Sequence, residues 1–207
     1  MPSIRQILFR ISDRFYKDSR MTKALSRESL GLLLGTIGVI IFGVTLPMTR
    51  IAVQSLDPWF VTSGRAALAG LVAIVVLTIR RRPWPNRSEL LPLSIGAFFT
   101  IVGFPGCTGF AMQLVPASHG GVVLGILPLV VALFGALSSG DRPSLGFWLS
   151  ALVGAALVIG FSLRDEAGQL GFGDLLLLGA VLSAAAGYTA FNRVARTRAG
   201  WEVVTWA

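Results

Sequence analysis

The chain has 207 residues, 54% of them apolar and 14% charged, with a mean hydropathy of +0.73 and a net charge of +8. That composition excludes an ordinary soluble domain. The single cysteine, Cys107, excludes a disulfide within one chain and reads as a small buried residue.

Residues 1–28 form a charged head carrying Arg5, Arg10, Arg14, Lys17, Arg20, Lys23 and Arg27. Ile4, Ile7, Leu8, Ile11 and Phe15 share one helical face, which suits a short amphipathic helix lying in the cytoplasmic interface. A frayed basic tail that only sets orientation fits the same pattern. The head runs to Glu28 and the apolar run behind it is long, so a cleaved signal peptide is not expected.

Six apolar runs follow, at about 30–50, 59–79, 90–115, 119–139, 143–163 and 173–193. About 20 helical residues cross a hydrocarbon core of roughly 30 Å. Backbone groups in hydrocarbon must pair within their own segment, and the alternating polarity of barrel strands is absent, so each run predicts a helix. The connections are short. The fold class is therefore all-α, a polytopic helical membrane protein with six spans.

Orientation comes from the basic residues. The head, the loop with Arg80, Arg81, Arg82 and Arg87, the loop with Arg142, and Arg193, Arg196 and Arg198 together hold 15 of the 18 Lys and Arg. Arg50 and Arg164 fall in the opposite loops and Arg65 within a span. Cytoplasmic loops attract Lys and Arg, which puts the N-terminus in the cytoplasm and makes the charge a topology signal, not a nucleic-acid surface.

The sixth run echoes the first. Leu32, Leu33, Leu34, Gly35, Gly43 and Thr45 are matched without a gap by Leu176, Leu177, Leu178, Gly179, Gly187 and Thr189. Arg50-Ile51-Ala52 and Arg193-Val194-Ala195 match after a one-residue shift. Five spans separate the starts of the copies, so the copies run in opposite directions, the arrangement of an inverted repeat.

Within the spans, Pro47, Pro105 and Pro128 each remove an amide donor and are expected to kink their helices. Gly103, Gly106 and Gly109 surround Pro105, so the third span should be locally irregular. Gly31-x-x-x-Gly35 and Gly121-x-x-x-Gly125 would permit close helix contacts. Arg65 is the charged residue clearly inside a span, seven residues past Pro58 and so about 10 Å from the helix end. It could hold a solute carboxylate, or its stem could snorkel outward or pair with helix-end carbonyls. Thr45, Met48, Thr62, Phe99, Cys107, Phe110, Gln113, Tyr188 and Asn192 are cavity candidates or simple packing residues. His119, the one histidine, reads as an interfacial cap at the start of the fourth span. No carboxylate lies mid-membrane, and neither a nucleophile with its base nor a metal-ligand set is present, which disfavours an intramembrane enzyme.

Four places, in this order and spacing, resemble the EamA-type drug/metabolite transporter family. They are the Gly43–Thr45 step; Asp57-Pro58-Trp59-Phe60 with Arg65 and Ala66-Ala67-Leu68-Ala69-Gly70; Val115-Pro116-Ala117-Ser118 leading to Leu127-Pro128-Leu129; and Gly140-Asp141-Arg142-Pro143, where Asp141 stands in for the usual Glu. Trp201-Glu202-Val203-Val204-Thr205 resembles the entry to a seventh helix, as Trp59-Phe60-Val61-Thr62 enters the second. The resemblance implies ten helices in two inverted five-helix repeats. Residues 29–164 would be the first repeat and 172–207 the incomplete start of the second, with the chain truncated there.

It also implies a secondary transporter of small organic solutes such as amino acids, metabolites or drugs, working by alternating access and exporting, in a bacterial inner membrane. An Arg at position 65 is part of the family pattern across varied solutes, which fits gating as well as recognition. Arg65, Thr45, Phe99, Phe110, Gln113, Tyr188 and Asn192 are the candidate solute-binding or gating residues. The expected partners are the solute and membrane lipid, with no cofactor, metal or nucleic acid. A membrane component that needs its missing half or another chain is the alternative.

Overall fold

In a computed structural model that describes residues 29–139, 144–162 and 171–207, the described residues are helices and their connecting turns. The expected amphipathic helix in residues 1–28, the Gly140–Pro143 motif, and Arg164, Asp165 and Glu166 lie outside them. Helix α1 is Ser29–Ala52, α2 Pro58–Arg80, α3 Arg87–Ala97 and α4 Phe104–Leu114. Then come α5 Ala117–Leu124, α6 Leu127–Ser139, α7 Leu145–Ser162, α8 Phe172–Val194 and α9 Gly200–Trp206. Among the described residues five helical stretches are long and apolar enough to cross a membrane: Ser29–Ala52, Pro58–Arg80, Arg87–Leu114, Ala117–Ser138 and Phe172–Val194. The fifth run expected from the sequence corresponds to α7, whose described apolar stretch, Leu145–Leu157, is shorter than a span. The chain is thus an all-α polytopic membrane protein with five clear spans among the described residues.

The helix boundaries follow from local chemistry. Asp57 caps α2, its Oδ1 accepting from the Trp59 amide at 2.8 Å and the Phe60 amide at 3.2 Å, while Pro58 fills a first-turn position that needs no donor. At the other end Arg81 takes a left-handed conformation, φ 47° and ψ 46°, which turns the chain out of the helix. Asn86 and Glu89 form a capping box that opens α3, with the Asn86 amide 2.8 Å from Glu89 Oε2. Val115, which precedes Pro116, is extended at φ −126° and ψ 153°, and this ends α4.

Each proline has a distinct consequence. Ahead of Pro105 the helix widens into a π turn, Phe98–Gly103, in which the Phe104 amide reaches back to the Phe99 carbonyl. A proline ring crowds the carbonyl four residues earlier and offers no amide, and one residue more in the turn relieves that crowding. Pro128 is the second residue of α6, just after the turn that separates α6 from α5. Helix α1 continues through Pro47 to Ala52.

Packing divides the chain into two units, Met1–Thr45 and Leu46–Ala207. The core of the second is organised around α8, which packs against α3, the π turn, α4, α5 and α6. Leu177, Ala180, Val181, Ala184 and Ala185 on α8 are almost inaccessible. The first four meet Ala111 and Met112 of α4, Phe104, and Val123 and Leu124 of α5 in two adjoining clusters. A third joins Leu93 of α3, Val194 of α8 and Val203 of α9. Between membrane helices the lipid supplies no hydrophobic drive, so close packing of small residues such as these alanines holds them together. The exposed side chains of α2, among them Leu68, Leu71, Val72 and Ile79, suit contact with lipid tails.

Candidate functional site

The tightest part of the second unit is the seam between α8 and the third span. A Cβ on Gly96 would land in the Phe191 ring, one on Gly103 would meet the Ser183 hydroxyl, and one on Gly187 would stand 3.2 Å from the Gly96 carbonyl oxygen and 3.3 Å from Phe99 Cβ. The Ser183 hydroxyl donates to the Phe99 carbonyl at 2.9 Å, the same carbonyl that receives the Phe104 amide in the π turn. Helix α8 thereby supplies a second donor to the irregular turn. Gly121 lies outside the seam: a Cβ there would have no heavy atom within 4 Å among the described residues. Spacing alone cannot tell which helix face acquires a neighbour.

One end of the unit gathers α1, α2, α4, α5 and α8. Arg50, expected in a loop, lies inside α1, and its Nη1 donates to the Met112 and Val115 carbonyls at 2.5 Å each. It serves carbonyls that the end of α4 leaves without helical donors. Arg65 extends from α2 to within 3.4 Å of Thr49 Oγ1. Gln113 Nε2 lies 3.5 Å from the Val53 carbonyl, and the Phe110 ring meets Trp59 edge-on at 5.6 Å. His119 does not cap its helix: Pro116 occupies that position, and His119 is buried with Nε2 2.6 Å from Asp174 Oδ1. Asp174 Oδ2 accepts the Gly171 amide at 2.9 Å and so opens α8 as well.

The other end is tied by a second set of charges. Arg198 Nε donates to Glu89 Oε2 at 2.9 Å, Nη1 lies 3.5 Å from Glu202 Oε2, and Nη1 and Nη2 reach the Pro83 and Trp84 carbonyls. Thr197 donates to Glu89 Oε1 at 2.9 Å. Arg82 pairs with Glu202 at 3.4 Å and lies over the Trp201 ring. The Trp84 and Trp206 rings meet at 5.0 Å.

Of the residues picked out in the sequence, Arg65 reaches Thr49 and Gln113 reaches Val53, four residues further on, with Phe110 on the same α4 turn as Gln113. Phe99 belongs to the seam. Tyr188 and Asn192 are exposed on α8, and Thr45 is half-buried at the end of the first unit. No local pattern signals the His119–Asp174 pair or Ser183 on Phe99, because these partners lie 55 and 84 residues apart. Among the described residues no group of three His, Cys, Asp or Glu could hold a metal ion.

A helical membrane bundle whose third span is irregular and whose ends are pinned by ion pairs defines the broad class. Residues 29–163 match the EamA-like transporter family, and the chain belongs to that family, one of transporters and not of enzymes. It is similar to a Bacillus subtilis protein described as the uncharacterized transporter YdeK, 38% identical over 183 residues that cover 88% of this chain and 64% of that protein. It is also similar to an Ancylobacter novellus protein described as the aromatic amino acid exporter YddG, 27% identical over 168 residues, 78% of this chain and 55% of that one. The chain thus spans less than two thirds of the length of either relative. No solved structure matches it.

Proposed function

We propose that the chain is part of a secondary transporter that moves small organic solutes, amino acids foremost, out of the cell by alternating access. The observation that carries this reading is the family match over residues 29–163. The similarity to a protein described as an aromatic amino acid exporter supports both the solute class and the direction. On this reading the N-terminus and the Glu89–Arg198 end face the cytoplasm and the His119–Asp174 end faces outward, in agreement with the arginine distribution. The chain would contribute six spans and the start of a seventh to a ten-helix inverted repeat, with α8 heading the second half. Arg65, Thr45, Phe99, Phe110, Gln113, Tyr188 and Asn192 are the proposed solute-binding or gating residues.

A second reading, a membrane component that transports only together with further helices or another chain, draws on the shares of 64% and 55% of its relatives that the chain covers. One experiment separates the two. Cells expressing the chain are loaded with labelled phenylalanine, tryptophan or a toxic analogue, and retention is followed with membrane insertion confirmed. Faster loss of label supports transport by these residues. Unchanged retention across the panel overturns it, and recovery on co-expression with additional helices supports the second reading.

A further inference from the structure

Five threonines in these helices share one habit. The hydroxyls of Thr36, Thr78, Thr100, Thr108 and Thr205 each donate to the carbonyl four residues earlier, at 2.6–2.9 Å. That bond is the usual way for a helix to satisfy a threonine away from water. Thr189, on α8, is 9% exposed, and its Oγ1 makes no hydrogen bond among the described residues. It does not bond the Ala185 carbonyl, the ordinary partner of a helical threonine hydroxyl at this position. A valine would fill the same volume without an unmet hydroxyl, so the packing alone gives no reason for a threonine here.

Its position separates it from the seam. Helical residues advance about 100° each, so Thr189 lies roughly 200° around α8 from Gly187, away from the face that meets Gly96 and Thr100. Asn192, three residues on, is its neighbour on the helix surface, and Tyr188 precedes Asn192 by four. The buried hydroxyl therefore adjoins the polar edge of α8. The sequence also repeats it: the step Gly187-x-Thr189 echoes Gly43-x-Thr45.

We infer that Thr189 is a specificity-determining residue whose hydroxyl hydrogen-bonds a polar group of the transported solute. A hydroxyl both donates and accepts, which suits a zwitterion whose carboxylate accepts and whose ammonium donates. The inference rests on the transporter reading and adds to it a residue that contacts solute. A site that hydrogen-bonds its ligand discriminates strongly against variants lacking the partner group, because one buried group is then left unpaired.

The test uses the full chain, purified in detergent, as wild type, Thr189→Val and Thr189→Ser. Melting is followed alone and with each of the common amino acids, and the amino acid that stabilises the wild type most is then titrated. The expected result is that Thr189→Val melts at or above the wild-type temperature and binds that amino acid about tenfold more weakly, whereas Thr189→Ser binds as wild type does. Destabilisation by Thr189→Val without solute overturns the inference, since the hydroxyl would then already be bonded within the protein or to water. Unchanged affinity in Thr189→Val overturns it too and leaves the transporter reading standing. If no amino acid shifts wild-type melting, the amino acid reading fails and the inference falls with it.

Discussion

His119 Nε2 and Asp174 Oδ1 stand 2.6 Å apart and join the first turn of α5 to the first turn of α8. Both side chains are largely buried, 9% and 13% exposed. The carboxylate has two duties, because its other oxygen holds the Gly171 amide. Asp174→Ala should therefore cost more than His119→Ala. The former abandons a cap, worth about 1 kcal/mol, as well as the pair. Asp174→Asn keeps an acceptor and should fall between Asp174→Ala and wild type. Denaturant unfolding of the single and double variants in detergent gives the coupling energy, expected at about 0.5–3 kcal/mol for residues in direct contact. Purely additive losses would show that the pair contributes nothing.

At the opposite end Arg198 does work that a lysine could not. Its guanidinium spreads over Glu89, Glu202 and the carbonyls of Pro83 and Trp84, in four directions from one planar group. An ammonium presents a point charge and cannot span them. Arg198→Lys should thus destabilise nearly as much as Arg198→Ala, because Glu89 loses its charged partner and Glu202 is left with Arg82 alone. Thermal melts of the two variants decide it. Full rescue by lysine would mean that charge alone matters.

The sequence revealed spans more readily than contacts, for a physical reason. Bilayer thickness fixes helix length, so hydropathy alone marks the runs that became α1, α2, α3–α4, α5–α6 and α8. Pro105 among its glycines marked the third span as irregular, since a missing amide is a property of the residue itself. Arg50 was misplaced because a helix end in the membrane blurs into the following loop, and its two carbonyl acceptors lie 62 and 65 residues away. Small residues permit an approach but do not say from where. The partners of Arg198 and His119 depend on which helix ends meet, and local pattern carries none of that.

The glycines of the seam and those outside it should respond in opposite senses. Gly103→Ala and Gly187→Ala push a methyl group into Ser183 and into the Gly96 backbone, respectively, and overpacking of this kind costs about 1–3 kcal/mol. At Gly121 the added methyl meets no heavy atom within 4 Å, and alanine is the better helix former by about 1 kcal/mol. Gly121→Ala should leave stability unchanged or raise it. Melting temperatures of the three variants provide the comparison. Equal effects at all three positions would show that α8 does not bear on the third span as closely as described.

Arg65 distinguishes a solute contact from a structural one. Its guanidinium lies 3.4 Å from Thr49 Oγ1, and no ion pair to a carboxylate links it to another described residue. A single contact that long is weak, so Arg65→Ala should change stability by less than about 1 kcal/mol. If the planar fork binds a solute carboxylate, Arg65→Lys should retain charge yet bind amino acids more weakly, by roughly tenfold, with amines lacking a carboxylate unaffected. Solute-dependent melting of wild type, Arg65→Lys and Arg65→Ala measures this directly. Loss of membrane insertion in both variants would instead make Arg65 a folding residue. Equal weakening for amines and amino acids would assign it to gating, because a gate acts on every solute alike while a carboxylate clamp acts on one class.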